Sequence, residues 1–421
     1  MTVRELLRMS VPALVIGVVA ALVLFVVEAA GAALETLLWD ALPGVLHVDG
    51  SSGWWIVLVL TATGAGVGVV LRFAPGHGGR DSATTELIAP PLDVKTLPSL
   101  AGATVLGLGG GVSLGPENPV IAMTTSLLVS AGRVLRSRMR PETIVALAAA
   151  ATIGALFGTP VAAALVFTGM AGGPSDRLAL WDRLFLPLVA AGAAAVTMTF
   201  LAHPAFVVDL PTYTTPSVGD LGSAAVVASA GACLGVAMAW VFPALHRFVH
   251  RMPGPVVAVT VAGAGLGLLG AVGGPVTLFN GADEIDELVS DRAHLSATVL
   301  ALVIAVKCLA LLLAAASGFR GGRIFPAVFI GAALGLLAHE LVPAVPLTVA
   351  IASGVVGVVL AVARDGWIAL FIGATITGSV PVLAVLCVAI LPAWLIVSRA
   401  PEFIAVPSAP AVPVPRSGAR W

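Results

Sequence analysis

The sequence predicts an all-α polytopic membrane protein built from short, tilted and broken helices. Three observations carry this. Only 10% of the 421 residues are charged and 59% are hydrophobic, whereas a soluble domain is nearer a quarter charged. Charge-free stretches long enough for a membrane span, which needs about 20 apolar residues, recur from end to end. The 47 glycines and 29 prolines cut those stretches. They do not mark disorder, because the polar residues that disorder needs are missing. Both residues are more frequent in membrane helices than in soluble ones.

Taken in order, the chain opens with Arg4 and Arg8 before an apolar run that meets no charge until Glu28. The start resembles a signal peptide, but no A-x-A cleavage site ends it, so a retained first span is expected. Further charge-free stretches lie between Asp49 and Arg72, Lys95 and Glu117, Glu142 and Asp176, and Arg183 and Asp209. Others separate Asp220 from Arg247, Arg251 from Asp283, Glu340 from Arg364 and Asp365 from Arg399. Several are too long for one span and too short for two, which implies broken helices. Irregular backbone at membrane depth is tolerated only where protein or a polar cavity covers it.

Basic residues set the expected orientation. Arg133, Arg136, Arg138 and Arg140 share one short loop, Arg247 and Arg251 another, and Arg399, Arg416 and Arg420 mark the end. The positive-inside rule puts all of these, with both termini, in the cytoplasm. The acidic stretch Gly281–Asp291 then lies outside. Trp54, Trp55, Trp367 and Trp394 read as interfacial anchors. The proline-rich residues 405–421 read as a disordered tail. Cys233, Cys308 and Cys387 lie far apart in apolar runs and read as small buried hydrophobes. A net charge of −1 suggests no nucleic-acid partner.

A weak internal repeat is visible. "GPENPVIAM" has Gly115 and Pro119 four apart, and "GRIFPAVFI" has Gly322 and Pro326 four apart. At similar distances beyond come "FGTPVAAAL" from Phe157 and "ARDGWIALF" from Ala363. Matching breaks in two halves are the mark of inverted-repeat transporters, whose sites lie near the midplane at half-helix ends. The halves are expected at 1–205 and 206–404.

A helix that starts inside the membrane presents unpaired N–H groups and partial positive charge. Preceding glycines allow close approach, and proline suits the first turn. Such a start is an anion site without a fixed cation. "GPENP" and "GGRIFP" fit, and "PGHGGRDS", Pro75–Ser82, is a third candidate. Glu117 is the one charge between Lys95 and Arg133. Its carboxylate can occupy such a site as an anion does, and protonation would release it. Intramembrane ionisable residues are usually functional. The competing reading is a carboxylate that merely caps a helix. Lys307 stands alone between Arg292 and Arg320. It reads as a lysine snorkelling from a helix end, with pairing to a carboxylate or a fixed charge behind the pore as the alternatives.

From the first span to about Ile404 the sequence resembles the CLC chloride channels and anion/proton exchangers, and within them a bacterial ion-transport subgroup. "GGGVSLGPENPV" is similar to the family's G-[KR]-E-G-P segment with its gating glutamate. "SGFRGGRIFPAVFIGAALG" is similar to G-x-F-x-P, and "GHGGRD" is a degraded G-S-G-I-P. The resemblance implies two inverted halves, one pore per subunit, and a homodimer in the cell membrane. It implies Glu117 as gate and an anion site drawn from Gly76, His77, Gly78, Gly115, Pro116, Asn118, Gly322, Ile324, Phe325 and Phe403. The departures are specific. Pro116 stands where the family has a basic residue, Asn118 at a glycine, His77 at the anion-holding serine and Ile324 at the phenylalanine. Gly322, Ile324 and Phe325 would then act mainly through backbone amides. Phe403 keeps the ring of the central tyrosine without its hydroxyl. His77 reads as an anion donor, a pH sensor or a hydrogen-bonded pore-mouth residue.

The exchangers' inner proton-handling glutamate falls in Val166–Gly173, which holds no carboxylate; Asp176 and Asp182 follow. The expected function is therefore passive transport of a small inorganic anion, most simply chloride. The alternatives are a proton-coupled antiporter or a carrier for another anion on the same scaffold. A structural or sensory protein that has lost transport is disfavoured by the retained glutamate. No His/Glu metal cluster, nucleophile pair or phosphate loop is apparent, so neither an enzyme nor a metal or other cofactor is expected.

Overall fold

The computed structural model describes residues 3–137, 139–168, 180–202 and 207–405. Arg138, Asp176, most of the Val166–Gly173 segment, the boundary near 205, Arg416, Arg420 and residues 406–421 of the proline-rich tail lie outside the described residues. Ala405, expected at the start of that tail, is instead buried, and its N–H donates to the Ala83 carbonyl at 2.8 Å.

Helix α1, Val3–Glu35, continues through a π-helical turn, Thr36–Ala41, into α2, Leu42–Leu46. Next come α3 (Gly53–Phe73), α4 (Leu97–Gly109), α5 (Glu117–Val134), α6 (Pro141–Phe157), α7 (Pro160–Leu165) and α8 (Leu180–Ala202). The remainder is α9 (Val218–Val249), α10 (Gly254–Gly273), α11 (Glu284–Ser290), α12 (Ala297–Ala316), α13 (Ile324–Leu341), α14 (Leu347–Ala363), α15 (Gly366–Thr377) and α16 (Val380–Val397). Among the described residues, eight segments are long and apolar enough to cross a membrane.

Local chemistry sets the boundaries. Proline occupies the first turn of α4, α6, α7, α10 and α16, where its missing N–H costs nothing. Ser217 and Asp220 form a capping box at α9. The one tyrosine, Tyr213, donates to Asp220 Oδ2 at 2.8 Å, so it stabilises that helix start. Two triplets of helices correspond. Helices α5, α6 and α7 have 18, 17 and 6 residues, and α13, α14 and α15 have 18, 17 and 12. Both α6 and α14 end on a left-handed residue, Gly158 and Arg364.

The core is built around α13 and α14. Every residue from Leu347 to Val362 is buried, as expected of a helix apolar on all sides. Helices α3 and α10 pack through facing glycines: a Cβ on Gly64 would stand 2.5 Å from the Val259 carbonyl oxygen. Small residues of this kind let membrane helices approach closely. By contrast α1 and α16 leave Val11, Val15, Leu391 and Leu395 exposed, an apolar outer surface of the kind membrane helices present.

Three sequence expectations change here. Trp55 is buried and its Nε1 donates to the Leu38 carbonyl at 3.2 Å, so it packs within the protein while Trp54 stays exposed. Cys233 and Cys387 are exposed on helix faces and only Cys308 is buried, because an apolar run in a membrane has lipid-facing as well as core-facing positions. Lys307 does not snorkel. It sits wholly buried within α12 and donates to the carbonyls of Thr277, Leu278 and Phe279 at 3.2, 2.6 and 3.0 Å. Its ammonium also lies 4.7 Å from the Phe329 ring centre, within cation–π range. Glu284 interacts with it electrostatically.

Candidate anion site

The starts of α5 and α13 meet inside the molecule. Gly115 and Gly322 exchange backbone hydrogen bonds, N–H to carbonyl at 2.9 and 2.6 Å. With Glu117 lying against this pair, only glycine fits at either position. A Cβ on Gly322 would stand 2.1 Å from Glu117 Cδ, and one on Gly115 would stand 2.1 Å from Oε2. The Glu117 side chain, wholly buried, therefore crosses to the other helix. Its Oε1 accepts from the N–H of Ile324 at 2.6 Å and of Phe325 at 3.2 Å, while the buried Oε2 finds no hydrogen-bond partner on another side chain or helix among the described residues. A carboxylate thus fills the N-terminal amides of a helix 207 residues away, the position where such a terminus would take a free anion.

Arg323, which the sequence analysis passed over, lies beside this pair. It is buried and close enough to interact electrostatically with Glu117. Its Nη1 donates to the Phe403 carbonyl and its Nη2 to the Thr85 carbonyl at 3.1 Å. The guanidinium carbon lies 5.5 Å from the Phe403 ring centre, and that ring stacks on Phe242 at 4.5 Å. Phe403 is thereby held against the start of α13. The clue was present in "GGRIFP": an arginine inside an apolar segment needs a partner as much as a glutamate does.

Among the cavities that the described residues enclose, two of the larger ones approach Glu117 without reaching it. One, of about 330 Å³, touches Asn118, Arg323, Ile324 and Phe403, with Glu86 and Glu402 on its wall. The other, of about 470 Å³, touches Pro116 and Phe325, with Glu28, Glu35 and Asp283 around it. Phe325 itself stacks on Phe157 at 5.2 Å.

The third candidate motif takes a different form. Gly76, His77, Gly78 and Gly79 all adopt positive φ. They lead into a single 3₁₀ turn, Ser82–Thr84, with the next α-helix starting only at Leu97. This is a tight loop rather than a long-helix N-terminus. Its carbonyls point at a cation: Arg320 donates to Gly78 at 2.8 Å, Gly79 at 3.2 Å and His77 at 3.4 Å. The His77 ring donates from Nδ1 to the Leu71 carbonyl at 2.9 Å. His77 lines a cavity of about 530 Å³ with Asp81, His250 and Arg320, whereas Phe403 and Ile324 line the one described above. The structure thus brings Gly115, Pro116, Asn118, Gly322, Ile324, Phe325 and Phe403 together around Glu117. It does not bring Gly76, His77 and Gly78 into that group.

Asp81 joins this loop to α9. Its Oδ2 lies 3.1 Å from His246 Nε2 and 3.5 Å from His250 Nε2, and its Oδ1 lies 3.6 Å from Arg320 Nη1. Burial by itself would raise the Asp81 pKa. Hydrogen bonds from both histidines and the Arg320 charge outweigh it and hold the carboxyl well below its ordinary range.

Comparison with known proteins agrees with this architecture. Residues 50–398 match the family described as "Voltage gated chloride channel". The chain is 46% identical over 398 residues to "Putative ion-transport protein YfeO" of Escherichia coli (strain 55989 / EAEC), covering 94% of this chain and 95% of that one. The fold is similar to that of a slow cyanobacterial Cl⁻/H⁺ antiporter, with TM-score 0.79, 18% identity, and coverage of 93% and 94%. It is also similar to a CLC-type fluoride/proton antiporter, with TM-score 0.74, 20% identity, and coverage of 96% and 98%. By its sequence match and its paired broken helices, the chain is a multi-pass membrane protein that belongs to the voltage-gated chloride channel (CLC) family, a family of membrane anion transport proteins.

Proposed function

We propose that this protein is a glutamate-gated passive conduit for small inorganic anions, chloride foremost. It would act as a homodimer in the cell membrane, with residues 1–205 and 206–404 as its inverted halves. One observation carries the reading: the Glu117 carboxylate sits on the Ile324 and Phe325 amides as an anion would. The two cavities then form the approaches, and Glu117 the partition between them. Protonation removes the charge that holds the carboxylate on the amides. The side chain leaves, and an anion takes the vacated N–H groups with Arg323 as the fixed cation beside it. The positive-inside rule assigns both termini to the cytoplasm, and with them the Arg323 cavity, whose wall includes Glu402 three residues after Arg399.

The test is purified protein in liposomes with anion efflux and proton movement recorded together. The passive reading expects anion flow without proton pumping. A specific observation favours coupled exchange as the second reading, because Glu86 and Glu402 lie on the cavity that reaches Arg323. Either carboxylate could replace the proton station that the sequence lacks in Thr168–Met170. Proton uptake driven by an anion gradient, and lost in Glu402→Gln or Glu86→Gln, would establish exchange in place of passive flow.

The acidic cavity supplies another prediction. Glu35 and Asp283 line an anion's approach together with the more deeply buried Glu28, so the negative charge they carry slows its entry. Glu35→Gln is expected to raise the low-salt influx rate from that side by about twofold, since a unit charge about 10 Å away in water contributes about 0.4 kcal/mol. The gain should vanish at high ionic strength. Equal rates in low salt would place the anion's route elsewhere.

A further inference from the structure

His246 and His250 stand one turn apart at the end of α9, with ring centres 3.9 Å apart. Asp81 faces them from the α3–α4 linker, 165 residues from His246. The three ligand-type atoms, Asp81 Oδ2 and the two Nε2, lie within 4.8 Å of one another. The carboxylate oxygen is 3.1 and 3.5 Å from the two nitrogens. Ligands bound to one zinc ion at about 2.1 Å in tetrahedral array are separated by about 3.4 Å. The groups are also oriented for the task. His250 Nδ1 lies 2.9 Å from the His246 carbonyl oxygen. That oxygen can only accept, so Nδ1 carries the hydrogen and Nε2 is left facing Asp81, to hold either a proton or a metal. An outer hydrogen bond of this kind is what fixes metal-ligating histidines. Asp81 Oδ1 is engaged separately by the Ala83 N–H at 3.1 Å and by Arg320, which leaves Oδ2 for the histidines.

We propose that Asp81, His246 and His250 form a site for a divalent transition-metal ion, with Zn²⁺ its best-suited occupant. Two imidazoles and one carboxylate are a zinc-type ligand set, whereas Mg²⁺ and Ca²⁺ call for oxygen alone. The fourth position opens to the 530 Å³ cavity that His77, His250 and Arg320 line, where water completes the sphere. Arg320 opposes a dication, so binding is weaker than in a closed structural site and reversible. Occupancy ties the end of α9 to the linker whose 77–79 loop Arg320 holds. The cluster is not visible in the sequence because the aspartate is remote from the histidine pair and only the fold joins them.

The experiment is a calorimetric titration of the full-length protein in detergent with Zn²⁺. One ion per chain is expected. Affinity should fall by at least about tenfold in His250→Ala, because even outer-shell changes cost 10- to 100-fold. It should be lost in the His246→Ala/His250→Ala double variant and unchanged in His294→Ala, whose histidine is exposed. A second readout needs no variant: Cu²⁺ bound to the wild-type protein should show hyperfine coupling to two imidazole nitrogens. Absence of saturable Zn²⁺ uptake, undiminished uptake by the double variant, or Cu²⁺ without two-nitrogen coupling would each overturn the site.

Discussion

Glu117→Gln is expected to conduct anions at a high rate that no longer depends on pH, with normal expression. In the native chain flux should rise as pH falls, because protonation frees the gate. The size of the effect follows from what holds the carboxylate. It accepts two amide hydrogen bonds, each worth about 1.5–3 kcal/mol when one partner is charged. Loss of about 3 kcal/mol of closed-state stabilisation corresponds to roughly a hundredfold gain in open population where the native gate is closed, at 1.4 kcal/mol per decade. Gly322→Ala reaches the same state by another route. Its Cβ would overlap the Glu117 carboxyl carbon, so the side chain must leave although its charge remains. Efflux from liposomes over a pH series checks both. If Glu117→Gln kept the native pH dependence, Glu117 would be a helix cap and not a gate.

Arg323→Gln should both weaken anion binding and destabilise the fold. The guanidinium holds the Phe403 and Thr85 carbonyls and faces the buried Glu117 charge. Removing one member of a buried charge pair typically costs about 3–5 kcal/mol, much of it from the charge left behind. The double variant Glu117→Gln/Arg323→Gln should therefore be more stable than Arg323→Gln, although it carries one more change. Non-additivity of 0.5–3 kcal/mol is the usual signature of residues in contact. Thermal unfolding in detergent measures stability, and anion titration by calorimetry should show at least about a tenfold loss of affinity. Strict additivity would separate Arg323 from the gate. Lysine should substitute poorly, since one ammonium lacks the planar fork that reaches two carbonyls at once.

Both predictions depend on pairs that the chain order hides. That Glu117 stands at a helix start follows from Pro116, Pro119 and the preceding glycines. That its carboxylate serves the start of α13 rather than its own helix does not. The same division holds for the histidines. Their spacing of four is visible in "HRFVH", but Asp81 becomes their neighbour only when α9 returns to the α3–α4 linker.

By itself, then, the sequence determined the membrane class, the broken helices, the paired breaks at Gly115 and Gly322 and the isolation of Glu117. These are properties of composition and short-range backbone chemistry: apolar length fixes spans, and glycine and proline fix where helices start. The tertiary structure decided which buried groups meet. It put Glu117 on the Ile324 and Phe325 amides, set Arg323 between Phe403 and Thr85, and buried Lys307 under three carbonyls instead of letting it snorkel. It also left Cys233 and Cys387 exposed and moved His77 to a different cavity from Phe403. In a chain so uniformly apolar, hydropathy does not distinguish a lipid-facing position from a core-facing one. A charge's partner is chosen by electrostatics and hydrogen bonding across space, which sequence separation does not record.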